Sequence, residues 1–95
     1  MNVAPIRMSR AGRMGNIKMH MALSGYDVHT VNSIAKGVGI KPSSYLRGLL
    51  AEMVLRGLLA EHVVRYGDGT VAKRLYAIPH RMPHRNELFE LEGLL

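Results

Sequence analysis

The side chains with the clearest chemistry in the middle of this sequence are hydrogen-bond donors. Lys41, Ser43, Ser44 and Arg47 lie within seven positions, at the start of a predicted helix. Ammonium, hydroxyl and guanidinium groups donate to phosphate oxygens and base edges, and the first residues of a helix can enter the DNA major groove. We therefore predict that these four residues contact duplex DNA. The alternatives are that the two serines only cap the helix and that Arg47 is a solvated surface residue.

A second group of donors, Arg65, Lys73 and Arg74, flanks a glycine-rich turn further along the chain. We predict that this group lies along the DNA backbone or in the neighbouring minor groove. Consecutive residues of a strand point to opposite faces, so at most one of Lys73 and Arg74 would face the DNA unless the strands twist.

The charge of the chain supports an anionic partner. The net charge is +6, and all 13 Lys and Arg residues but only four of the seven acids lie at or before Arg85, which leaves a surplus of nine positive charges there. Such a field attracts phosphate backbones or anionic lipid. The alternative is a charged surface that only keeps the protein soluble.

The sequence contains no pattern typical of an enzyme or a metal site. His80 and His84 have a helical spacing, but Pro79 and Pro83 oppose a regular helix there. We expect no catalysis, no cofactor and no metal. Cysteine is absent, and no apolar run approaches the roughly 20 residues that span a bilayer. We accordingly expect a cytoplasmic protein without membrane association.

Apolar spacing predicts two helices in the first half of the chain. Met14, Ile17 and Met21 share one face of a helix over residues 10–23, which the left-handed conformation of Gly25 would end. After a very short strand, Thr30 is placed to cap a second helix that ends near Gly39.

A third helix has the strongest pattern. Its apolar residues recur as pairs every four positions, namely Tyr45-Leu46, Leu49-Leu50, Met53-Val54 and Gly57-Leu58. We place Pro42 in its first turn and predict that Leu49 and Met53 are buried against the other two helices.

The remaining pattern is that of a β-hairpin. Two runs rich in β-branched residues and tyrosine, residues 62–66 and 70–78, flank Gly67-Asp68-Gly69. A tight turn that needs positive φ favours Asp-Gly at this place. Pro79 and Pro83 would end the sheet.

The order helix, short strand, helix, turn, helix and hairpin resembles the winged helix-turn-helix domains of bacterial and phage regulators. The matching segments are residues 31–40, 41–44, 56–59 and 63–78, and the resemblance covers about residues 12–79. It implies an α+β, mainly α, fold of three helices and a two-stranded wing, with Thr30 and Lys36 on DNA phosphates. The winged helix would span residues 10–79. A flexible basic arm (1–9) and a linker with a short amphipathic tail (80–95) would flank it.

Together these features predict a DNA-binding transcriptional regulator or architectural factor that acts as a homodimer. The alternative is a winged helix that binds another protein, as an assembly adaptor or an inhibitor of a host complex, through the tail or through Leu46, Ala51 and Leu55 on the third helix. Single-stranded nucleic acid is disfavoured, because there is a single phenylalanine and the four tyrosines are expected to be buried.

Overall fold

The first helix, α1 (Arg10–Leu23), has the predicted bounds, in a computed structural model that describes residues 9–84. The Ser9 hydroxyl accepts a hydrogen bond from the Gly12 N–H at 3.0 Å, which satisfies one of the free amides of the first turn. The predicted left-handed Gly25 is wrong. The helix ends at Ser24, whose backbone is extended and whose N–H donates to the His20 carbonyl.

The second helix, α2 (Val31–Val38), begins at the predicted cap. The Thr30 hydroxyl accepts from the Ser33 N–H at 3.1 Å, and the Ser33 hydroxyl oxygen accepts from the Thr30 N–H at 3.0 Å. This reciprocal capping box satisfies two backbone donors. At the other end Gly39 has φ +72°, a conformation that glycine adopts without a Cβ clash, so the helix stops there.

The third helix, α3 (Ser44–Leu55), is shorter at both ends than the sequence pattern indicates. Ser43 occupies the cap position without a side-chain cap bond, so Pro42 precedes the helix instead of lying in its first turn. At the carboxyl end Gly57 has φ +75°, and the Leu58 N–H donates back to the Met53 carbonyl at 2.8 Å. This glycine ends the helix before the Gly57-Leu58 pair, because the left-handed conformation turns the chain away from the helix axis.

Three antiparallel strands form the sheet: β1 (His29–Thr30), β2 (Ala60–Arg65) and β3 (Val71–Ala77), in the order β1-β3-β2. The predicted two-stranded hairpin is β2 and β3, and the short strand predicted before α2 is β1, which joins the hairpin as a third strand. His29 and Thr30 pair with Tyr76 and Leu75, which covers the edge of β3 that the hairpin alone would leave unpaired. A 3-10 turn, Pro79–Arg81, follows the sheet.

The predicted Asp-Gly turn joins β2 and β3. Gly69 has φ +90°, and the Tyr66 N–H donates to the Thr70 carbonyl at 2.8 Å. Hydrogen bonds from the Thr70 hydroxyl and N–H stabilise the Asp68 carboxylate and lower its pKa. The turn is thus held by its own side chains.

The core lies where the three helices meet the sheet. Leu49 and Met53 of α3 are wholly buried, as predicted, in a cluster with residues of α1 and α2 that include Ile17, Met21 and Ile34. On the outside, Glu52 accepts hydrogen bonds from Arg10 and Arg56, and Arg10 is the main reason that the pKa of Glu52 is lowered. This ion pair joins the start of α1 to α3. Within residues 9–84, no helix combines the length and apolarity needed to cross a lipid bilayer.

His29 is a buried polar residue at the start of β1. Its Nε2 lies 2.9 Å from the Ser24 hydroxyl and 3.1 Å from the Tyr26 carbonyl oxygen, and its ring makes a T-shaped contact with His20 at 5.8 Å. Burial lowers the pKa of His29 from 6.5, and the neighbouring His20 acts in the same direction, although the Tyr26 carbonyl and Asp27 oppose it. The folded protein therefore resists protonation at this ring.

We expect the protein to lose stability as the pH falls below about 6.5. His29 takes up a proton near 6.5 in the unfolded chain but only at lower pH when folded, so acid favours unfolding through this group, and its effect is absent well above 6.5. The measurement is the melting temperature between pH 5 and 8. His29→Asn should flatten the acid limb of this profile, whereas His80→Asn, at an exposed site, should not. Parallel profiles for the wild type and His29→Asn would contradict this assignment.

Candidate nucleic-acid interface

A cleft of about 610 Å³ opens between the start of α2, the outer face of α3 and the hairpin. It contains residues from all three parts of the fold. Its lining consists of Thr30, Val31, Asn32, Arg47, Ala51, Val54, Glu61, Val71, Ala72, Lys73, Arg74 and Tyr76. Of the nine residues predicted to contact DNA, the cleft brings together Thr30, Arg47, Lys73 and Arg74.

Arg47 reaches the cleft from α3. It follows Ser43 and Ser44 at the start of the helix and is exposed, and Ala51 and Val54 continue the same helix face at i+4 and i+7. Its Nη1 lies 3.4 Å from the Pro42 carbonyl oxygen, at the long end of hydrogen-bond distances. The guanidinium is thus weakly held and accessible to a ligand in the cleft.

Lys73 and Arg74 both line the cleft, although the alternation of a regular strand predicts that at most one would. The register of the hairpin is irregular immediately before these two residues. Val64 pairs with Lys73 and Arg65 pairs with Val71, so Ala72 is passed over, as in a β-bulge. A bulge bends and twists the strand, which lets neighbouring side chains approach one surface.

Arg74 is held by an acid that the sequence reasoning missed. Its Nη1 donates to Glu61 Oε1 at 2.9 Å, and the Glu61 carboxylate lies close enough to the buried Tyr76 to raise the pKa of its hydroxyl. Burial and then the Glu61 charge raise the pKa of Tyr76 to about 12. In the register Glu61 faces Tyr76, and Arg74 lies two residues along on the same face. The predicted strand began at His62, two residues after the observed start at Ala60, so Glu61 was left out of it.

The other predicted contact residues lie outside the cleft lining. Lys36 is exposed in the last turn of α2, and Lys41 is exposed between α2 and α3. Ser43 and Ser44 stand at the start of α3. Arg65 donates to the Gly69 carbonyl at 2.8 Å and so lies against the hairpin turn. Thr30 does line the cleft, but its hydroxyl already caps α2.

The outer face of α3 offers small side chains beside Arg47. Ser44, Gly48 and Ala51 are exposed, and a Cβ added at Gly48 would meet no heavy atom within 4 Å. This face therefore allows close approach of another surface. The prediction that Leu46 is an outer residue is wrong, because Leu46 is wholly buried, whereas Leu55 is 88% exposed.

The tyrosines differ from the expectation that all four are buried. Tyr26, Tyr45 and Tyr66 are exposed, and only Tyr76 is buried. Tyr45 precedes Leu46 in the predicted apolar stripe, but the stripe is narrower than the pairs suggest, and the buried face begins at Leu46. The argument against single-stranded nucleic acid loses its basis, although none of the three exposed rings lines the cleft.

The predictions for the arm before Ser9 and for the tail from residue 85 onward fall outside the described residues. Within residues 9–84 the last described segment is tied to α1, since Arg81 donates to the Ala22 carbonyl at 3.0 Å. Comparison with known proteins finds no family model, no curated protein and no solved structure that matches this chain.

Proposed function

We propose that this protein is a winged helix-turn-helix domain that binds duplex DNA, as a transcriptional regulator or an architectural factor. The observation that carries this proposal is the cleft, where Arg47 of α3 meets Lys73 and Arg74 of the hairpin beside the start of α2. Three cations from two separate elements on one concave surface suit a polyanion. In this proposal α3 is the recognition helix and the hairpin is the wing.

The proposal gives each element a distinct role. Lys73 and Arg74 bind phosphates, which positions the protein without reading sequence. Arg47 points from the first turns of α3 and reads a base edge in the major groove, which is about 12 Å wide and admits a helix. Gly48 and Ala51 allow α3 to approach closely. Lys36, Lys41, Ser43, Ser44 and Arg65 then act at the margins of the interface.

We also propose that the protein acts as a homodimer. Met19 and Leu23 lie one turn apart on α1 and are both exposed, Leu23 by 81%. A second copy of the chain that covers this pair would remove apolar surface from water.

The direct test is a titration of the full chain against random-sequence duplex DNA over a series of salt concentrations. The logarithm of the affinity should fall linearly with the logarithm of the salt concentration, by about 0.9 per phosphate contact. In Lys73→Gln/Arg74→Gln the affinity should fall for all sequences, and the slope should flatten by roughly one to two units. Fluorescence anisotropy of labelled DNA measures both quantities.

The matched control is Lys18→Gln/Arg56→Gln. It removes the same two charges from exposed positions outside the cleft lining, and Arg56 is paired with Glu52 at 2.9 Å much as Arg74 is paired with Glu61. The control should keep most of the wild-type slope. Equal losses in both variants would mean that net charge, and not the cleft, governs binding. A wild type without salt-sensitive affinity would refute DNA binding.

A second candidate function is binding to another protein, as an assembly adaptor or an inhibitor. The exposed apolar side chains favour it, above all Leu55 at the end of α3. A complex held by such residues depends little on ionic strength, since burial of apolar surface does not involve counterion release. The salt series therefore separates the two functions, and Leu55→Gln is the first variant for the second.

A further inference from the structure

Glu61 is the one acidic side chain among the described residues that line the cleft. Its side chain is only 19% exposed, so its charge is screened less than that of a fully solvated carboxylate. It accepts a hydrogen bond from Arg74 and lies opposite Tyr76, a buried residue of β3. A carboxylate is unexpected on a surface proposed to bind phosphates, because the two groups carry charge of the same sign.

The ion pair has two consequences for an incoming phosphate. First, the phosphate must compete with Glu61 for the Arg74 guanidinium, because a carboxylate and a phosphate use the same donors. Second, the carboxylate repels the phosphate from the hairpin side of the cleft. Lys73 makes no such pair among the described residues and stays available.

We propose that Glu61 is a positioning residue that restrains Arg74 and thereby weakens the binding of DNA phosphates in the cleft, whatever the sequence. The inference rests on the DNA-binding function proposed above. Glu61 would limit the affinity of the cleft for DNA. Because weaker phosphate contacts dissociate faster, the protein would then leave one DNA site and bind another more readily.

The test is Glu61→Gln, titrated with random-sequence duplex DNA over the same salt series. Glutamine keeps the size of the side chain and a carbonyl oxygen that can accept a hydrogen bond, and it removes the charge. We expect the affinity to rise by roughly threefold to tenfold and the salt slope to steepen by up to about one unit, because Arg74 then contacts phosphate without competition from Glu61. If Glu61 only stabilised the fold, Glu61→Gln would instead lower both the affinity for DNA and the melting temperature.

Two further variants identify the source of the gain. Glu52→Gln makes the same change of charge and also releases arginines, Arg10 and Arg56, but lies outside the cleft lining. It should raise the affinity much less. Glu61→Gln/Arg74→Gln should bind more tightly than Arg74→Gln only by the small gain that comes from the lost repulsion, because the larger gain depends on the release of Arg74.

The outcomes separate the inference from the function on which it rests. If the wild type binds DNA and Glu61→Gln leaves affinity and slope unchanged, or lowers them, the restraint is wrong and DNA binding stands. An equal gain in Glu52→Gln also overturns the restraint. If the wild type does not bind DNA, both proposals fail. Titration of Tyr76 by NMR shows directly whether Glu61→Gln removes the charge beside it, because its pKa should then fall below about 12.

Discussion

Leu49→Ala is expected to lower the free energy of unfolding by about 2 to 5 kcal/mol. Leu49 has no exposed surface and packs in the cluster that joins α3 to α1 and α2. Its truncation removes apolar contacts and leaves a cavity that the surrounding helices fill only in part. Since small domains have a total stability of about 5 to 15 kcal/mol, this loss threatens the fold. Urea or thermal unfolding measures it.

Leu55→Ala is the matched control, because it makes the same chemical change six residues along the same helix at a position that is 88% exposed. It should change the stability by no more than about 0.5 kcal/mol. If both variants unfold at the wild-type midpoint, the assigned inner face of α3 is wrong.

Arg47→Ala is expected to have the largest single-residue effect on DNA recognition. An arginine that reads a base edge in the major groove contributes roughly 1 to 3 kcal/mol of discrimination, so affinity for the preferred sequence should fall about fivefold to 150-fold. Affinity for random duplex should fall much less. The preferred sequence is first selected from a random duplex pool with the wild-type protein, and both DNAs are then titrated at one salt concentration.

Arg56→Ala serves as the control for Arg47, since Arg56 directly follows the same helix and is exposed but lies outside the cleft lining. Arg56→Ala should lower the affinity for the preferred sequence and for random duplex slightly and by the same factor. An equal effect of Arg47→Ala on preferred and random DNA would make Arg47 a phosphate contact and α3 a helix that does not read bases. Selection that yields no preferred sequence would point to an architectural factor.

The helices and their caps were largely predictable from the sequence, because they depend on residues close together in the chain. The spacing of Met14, Ile17 and Met21 predicted α1 with its observed bounds, and Thr30 was recognised as the cap of α2. The Asp-Gly turn was predictable for the same reason, since positive φ is a local requirement that few residues meet. The errors concerned helix ends: Gly25 is not left-handed, Pro42 precedes α3, and α3 ends before Gly57.

The architecture of the cleft depended on contacts between distant residues. Pairing of β1 with β3 joins His29 to Tyr76, and no local pattern specifies that pairing. Lys73 and Arg74 both line the cleft next to a register shift in the hairpin, and the position of Glu61 opposite Tyr76 places a carboxylate beside Arg74. A two-residue error in the predicted start of β2 was enough to leave Glu61 out of the predicted site.

The sequence by itself thus determined the helices, the hairpin turn, the basic charge and the burial of Leu49 and Met53. Only the tertiary structure decided which of the cations line one cleft, that Glu61 pairs with one of them, and that Leu46 is buried while Tyr45 is exposed. The physical reason is the distance along the chain between the residues that interact. Helix periodicity and turn conformation follow from neighbours along the chain, whereas strand register and the width of a buried face follow from packing against elements far away in sequence.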